Sequence, residues 1–196
     1  MRIFGYITAC LLTFTLFQCA PDERQTVFGA FEADENSNDI VLEGILTDSS
    51  ADDLSNLLLE FPDTRTILMG DVDGATNNEA AFSAARVVRA NQINIRVLDN
   101  STIVREAIDF MIGGTRRTLG DNTRLGVGAW INDQGMEATE FPFGHEVHLP
   151  WINFYQEMGF QFQQATDFYN FSIFAADSQD VFFLTDDQIN TFGLTN

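Results

Sequence analysis

Apolar residues recur along this chain with two alternating periods. Leu54, Leu57, Leu58 and Phe61 stand at i, i+3, i+4 and i+7, one stripe of a helix that faces a core. Ser50 and Asp53 have the spacing of a capping box at its start, and Pro62, which cannot continue a helix, ends it. A second helix is predicted over NNEAAFSAARVVRA, capped by Asn77 or Asn78, with Ala81, Phe82, Ala85 and Val88 inward and Arg86 and Arg89 outward. A third runs from Ser101 to Ile112. It is apolar on most sides, with Arg105, Glu106 and Asp109 sharing one sector and Arg105 placed to pair with Asp109 one turn on.

The β-prone runs Ile40 to Leu46, Thr64 to Met69 and INIRVLD read as strands, and RRTLGDNTRLGVGAW as a basic turn and hairpin-like pair. Strands alternating with short helices, and a glycine turn (Gly70 to Gly74) opening the second helix, predict an α/β fold with a mostly parallel sheet flanked by helices. The C-terminal third is aromatic and helical. One helix spans Trp151 to Met158 and stops at Gly159, another lies in ATDFYNFSIFAADSQ, and a last one is capped by Thr185 and ended by Gly193. So many phenylalanines over this span read as core or a subunit interface.

Composition narrows the classes. With 196 residues and 45% apolar content the chain holds one good core, so a single domain is expected. A net charge of −19 leaves no basic face for phosphate backbones, which excludes nucleic acid as a partner. Every basic residue is an arginine.

Residues 1–18 read as a signal peptide, with Arg2 followed by an uncharged apolar run from Ile3 to Phe17 that is shorter than the roughly twenty residues of a membrane span. The stretch Leu16 to Cys19 resembles the lipobox of bacterial lipoproteins, whose cysteine is acylated. Here Gln18 replaces the usual small residue. An exported, periplasmic domain anchored to a bacterial membrane by lipid at Cys19 is the expectation, with an uncleaved anchor as the alternative. Residues 19–38 then form a tether with at most a short strand around Val27 to Phe31, and 39–196 form the domain. Cys10 and Cys19 are the only cysteines, so the mature domain has neither a disulfide nor a thiol nucleophile.

The order of elements from Ile40 to Trp130, the Ala-rich helix after the glycine turn, the Gly113–Gly114 pair and the segment RRTLGDNTRLGVGAW together resemble the ClpP/crotonase superfamily, in particular its ClpP-like serine peptidase branch. The resemblance implies repeated strand-strand-helix units. It also implies a backbone oxyanion hole at the glycine turn, where this chain has Asp73 and Gly74. The family's serine nucleophile falls at Arg105 and its histidine base at Gly128. A serine is a weak nucleophile unless a base takes its proton, and with these two residues neither half of the relay exists. The reading is a ClpP-like domain that acts by binding a protein or peptide or by assembling into a homo-oligomer, with no cofactor.

Two rival readings follow. An active hydrolase needs a relocated nucleophile and base, for which Ser101, His145 and His148 are the candidates; Ser101 otherwise caps the third helix. Acyl-thioester chemistry of the crotonase kind ranks last, because the chain has no basic cluster for the phosphates of coenzyme A. His145 and His148, with Glu146 or Glu157, have a spacing that can present two imidazoles to a metal, but it differs from the common zinc-helix spacing, and no metal is expected. Arg105 is either half of an ion pair with Asp109 or Glu106 or a binding group for carboxylates.

Overall fold

One long strand carries the sheet. The computed structural model describes residues 25–34 and 37–196, so the signal segment and Cys19 lie outside the described residues. Strands β1 (Gln25–Phe28), β2 (Phe31–Asp34) and β3 (Asp39–Leu46) form an antiparallel meander. After helix α1 (Ser50–Glu60), β4 (Thr66–Ala75) returns parallel to β3. β4 then serves two neighbours on its other side. Thr66 to Met69 pair with β5 (Asn94–Val97), whereas Val72 pairs with Ile103 of β6 (Thr102–Val104). The sheet therefore forks. β7 (Arg117–Leu119) extends the β5 arm, and β8 (Arg124–Val127) extends the β6 arm and pairs antiparallel with β9 (Phe182–Phe183). Asp71 stands at the fork, where its carboxylate accepts from the Thr102 amide at 2.7 Å.

Helices α1, α2 (Asn78–Ala90) and α3 (Glu106–Ile112) pack in sequence, and α4 (Leu149–Glu157) packs on α5 (Phe162–Ala175). The last helix, α6 (Asp186–Phe192), is capped by Thr185 and closed by Gly193 in the left-handed conformation, as its sequence implies. Leu54 and Leu57 are fully buried, while Leu58 and Phe61 pack at the margin of the core. Asn77 caps α2 by accepting from the Ala80 amide at 2.9 Å.

Several local expectations change. Ser50 does not cap α1: its hydroxyl accepts from the Thr47 amide, and Ser49 donates to Asp53 at 2.7 Å instead. The glycine turn is absorbed into β4, because strand pairing continues to Ala75. RRTLGDNTRLGVGAW is no hairpin, since β7 and β8 join different arms of the fork. The stretch read as a tether contains a hairpin whose Phe31 and Ala33 are buried, with Phe31 against Phe110 of α3 at 6.0 Å between ring centres. Arg89 does not face solvent. It folds back to donate to the carbonyls of Ile112 at 3.0 Å and Met158 at 2.8 Å, the unpaired carbonyls at the C-terminal ends of α3 and α4.

The hairpin is thus part of the core. Phe31→Ala is expected to destabilise the domain by about 3–5 kcal/mol, the range for deleting a buried aromatic ring. Urea denaturation at unchanged m-value measures it; a loss below about 1 kcal/mol would return the hairpin to the tether.

Candidate functional site

The predicted third helix breaks at Arg105. Ser101 precedes a strand, β6, and α3 begins only at Glu106. Arg105 is the corner between them, with φ 56° and ψ −125°. A residue with a Cβ avoids this region, at a cost of about 1–3 kcal/mol, and such strain collects where a strand turns sharply into a helix to present one side chain. The corner is fixed by the Arg105 amide, which donates to Gly126 of β8 at 2.8 Å, and by the Arg105 carbonyl, which accepts from Ile108 at 2.9 Å.

The side chain presented is turned aside. The Arg105 guanidinium donates to the carbonyls of Ala129 at 3.2 Å, Ser178 at 2.8 Å and Asp180 at 3.0 Å. No ion pair with Asp109 or Glu106 forms among the described residues. Asp109 is unavailable because α3 turns it inward, leaving it 5% exposed, where Tyr155 donates to it at 2.7 Å. Residues 176–180 form a strap between α5 and β9. Glu137 holds its other side, accepting from the Ser178 amide at 2.7 Å and from the Ser178 hydroxyl.

Gly128 follows β8 and lies under the same strap. A Cβ there would sit 2.8 Å from the Asp180 carbonyl oxygen and 3.3 Å from that of Asp177, so the space for a side chain is filled by backbone. At the end of β4, Gly74 has φ +110°, and a Cβ on it would lie 2.9 Å from the Glu106 carboxylate. Asp73 points to solvent. A carboxylate therefore stands over the backbone that an oxyanion would have to approach, opposite in sign to what stabilises a tetrahedral intermediate.

The fallback residues are not brought together. Ser101 is buried at the far end of β6, about four residues or roughly 13 Å from the corner at the usual strand rise. It caps no helix. His145 is exposed and its Nδ1 accepts from the Val147 amide at 3.2 Å. His148 is buried, its Nδ1 2.7 Å from the Tyr169 hydroxyl. Trp130 Nε1 donates to that hydroxyl at 2.9 Å, so the phenol oxygen links the indole to the imidazole. Burial pushes the Tyr169 phenol upward. Glu157 is engaged by Arg86 at 3.0 Å, and the described residues contain no cluster of three metal-ligating side chains.

Around the corner lie two spaces. An outer cleft of about 520 Å³ is bounded by Thr76, Asn77, Glu106, Trp130, Asp133 and Trp151. An inner cavity of about 40 Å³, walled by Asp109, Gly128, Tyr155 and Tyr169, shares Arg105, Glu106, Trp130 and Trp151 with it.

No family model matches the sequence, and no curated protein matches it. Solved structures do. The 1510-N membrane-bound stomatin-specific protease, in complex with a substrate peptide, superposes with a TM-score of 0.55 at 14% identity, covering 80% of this chain and 71% of that one. ClpP1 from Listeria monocytogenes gives 0.52 at 17% identity, covering 81% and 89%. The fold is ClpP-like.

The strap, Glu137 and the tryptophan pair had no place in the sequence reading. The helix predicted in ATDFYNFSIFAADSQ stops at Ala175, and its polar end, Asp177 to Gln179, runs into the strap instead; nothing local says which groove such a segment will fill.

Two outcomes test this geometry. Arg105→Ala is expected to destabilise the domain by about 2 kcal/mol through loss of charged hydrogen bonds to the strap. Arg105→Gly, which also relieves the corner, should be more stable than the alanine variant by about 1 kcal/mol in the same denaturation assay; the reverse order would deny the strain. The second concerns pH. Burial, with Glu106 nearby, holds the Asp109 carboxyl well above 3.8 in spite of the Tyr155 hydrogen bond. A raised carboxyl favours the folded state below its unfolded pKa and loses that advantage as pH rises toward the folded value. Asp109→Asn should therefore gain stability relative to the native chain between pH 4 and neutrality, roughly the span above the unfolded carboxyl value. A pH-independent difference would refute it.

Proposed function

We propose that this chain is a non-catalytic domain of ClpP-like fold that works by binding in the cleft beside the Arg105 corner, exported and held at a bacterial membrane through lipid on Cys19. The observation that carries this reading is the filling of the site by the chain itself. The strap packs on Gly128 and is clamped by Arg105, and the Glu106 carboxylate covers Gly74. What is left open is the cleft of about 520 Å³, within the size range of ligand sites. One neighbour of this fold was solved with a substrate peptide, which favours a peptide-like occupant here.

A fluorophosphonate probe, which reacts with activated serines, is expected to leave the full chain unlabelled. Stoichiometric labelling would overturn the proposal. The double variant Arg105→Ser, Gly128→His should also stay unlabelled, because a Cβ at position 128 meets the Asp180 carbonyl at 2.8 Å.

A further inference from the structure

Both tryptophans of the chain stand in the wall common to the outer cleft and the inner cavity. The rings of Trp130 and Trp151 stack with centroids 5.0 Å apart and planes within 3°. Several of the donors around them are already engaged. Trp130 Nε1 serves Tyr169, the Asn77 amide serves Asp48, the Ser178 hydroxyl serves Glu137, and Arg105 serves three carbonyls.

The acceptors are open. Among the described residues no donor reaches either carboxylate oxygen of Glu106, the Asp133 side chain, or the second oxygen of Asp109, whose first is held by Tyr155. Glu106 lines both spaces, and Asp109, 5% exposed, lines the inner one. A ligand that pairs with these open acceptors brings hydrogen-bond donors, and beside carboxylates in a chain of net charge −19 donors that carry positive charge are favoured. Indole faces add to the attraction, since their quadrupole favours a cation.

We propose that the cleft binds a charged amino or guanidino group, with Glu106 as its main carboxylate partner, Asp109 behind it and the Trp130–Trp151 pair as the wall it stacks on. The proposal deepens the non-catalytic reading and rests on it. Tyr155 already fixes the Asp109 carboxyl, so that side chain is oriented before the ligand arrives. The buried carboxyl, raised in pKa by desolvation, has no cation of its own, and a ligand cation supplies one.

The two tryptophans report on their own site. The full chain is titrated, with indole emission followed, with the capped peptide Ala-Ala-Arg-Ala-Ala, with its neutral citrulline analogue, and with spermidine. Saturable change is expected with a cationic ligand, and binding at least about tenfold weaker with the citrulline peptide, as for loss of one desolvated charged contact. Tighter binding of the arginine peptide assigns a peptide source, and tighter binding of spermidine a free amine. Glu106→Gln should weaken the cation by about tenfold or more and Asp109→Asn by a lesser factor, whereas Glu60→Gln, with the same charge change on a remote exposed site, should not. Equal binding of the citrulline peptide, full binding by both cleft variants, or no saturable change with any cation would overturn the proposal. Fluorophosphonate labelling tests the non-catalytic reading separately. Silence in both experiments removes the cation site and leaves that reading standing.

Discussion

A guanidinium bound to main-chain carbonyls is the interaction on which this structure depends. Arg105 joins the strand-to-helix corner to the strap, and Arg117 does the same for the end of the described chain. Arg117 is 6% exposed and donates to the carbonyls of Leu194, Gly193 and Gly114. Burial, with Arg89 nearby, lowers it to about 10, so it remains charged at neutral pH. None of these arginines faces a carboxylate within ion-pair distance. Their charge is spread over several carbonyl dipoles, a task suited to a planar fork of five donors and ill suited to the compact ammonium of lysine. The arginine-only basic content of the chain has a structural use here, since the guanidinium holds loops that lack regular pairing.

The Arg105 clamp also explains how a strained corner persists. A side chain in a sparsely populated backbone region is retained when its surroundings over-determine it. Here the amide is bound to β8, the carbonyl to α3 and the guanidinium to the strap and Ala129. The corner geometry that elsewhere projects a nucleophile serves in this chain to reach across a groove. Strap, corner and Gly128 are mutually dependent: the missing side chain at 128 admits the strap, and the strap supplies the acceptors that satisfy the arginine.

The sequence was informative wherever a local rule decides the outcome. Helix stripes such as Leu54 and Leu57, the Asn77 and Thr185 caps and the Gly193 terminus follow from spacing and capping chemistry alone. The α/β class followed from the alternation of periods. It failed where two distant segments compete for one partner. The run from Ser101 to Ile112 has continuous helical periodicity, yet its first residues are drawn into β6 by pairing with β4 and β8, which no window of sequence contains. Asp109 looked like a surface partner for Arg105. The burial of that helix face beneath Tyr155 and Phe168, contributed by segments some fifty residues later, turned it inward. Hairpin β1–β2 was hidden by its polar neighbours, although Phe31 is an apolar residue that the core could use.

The fork at Asp71 divides the labour of the molecule. Arg105 leaves β6, Gly128 leaves β8 and the strap enters β9, so the corner, the backbone under the strap and the strap itself hang from a single branch of the sheet. The other branch, β5 and β7, holds Arg117 and through it the tail around Leu194. Sequence drift along one branch bears on what the molecule can hold; drift along the other bears on whether its end stays fastened. The two properties can therefore diverge independently in a chain this short.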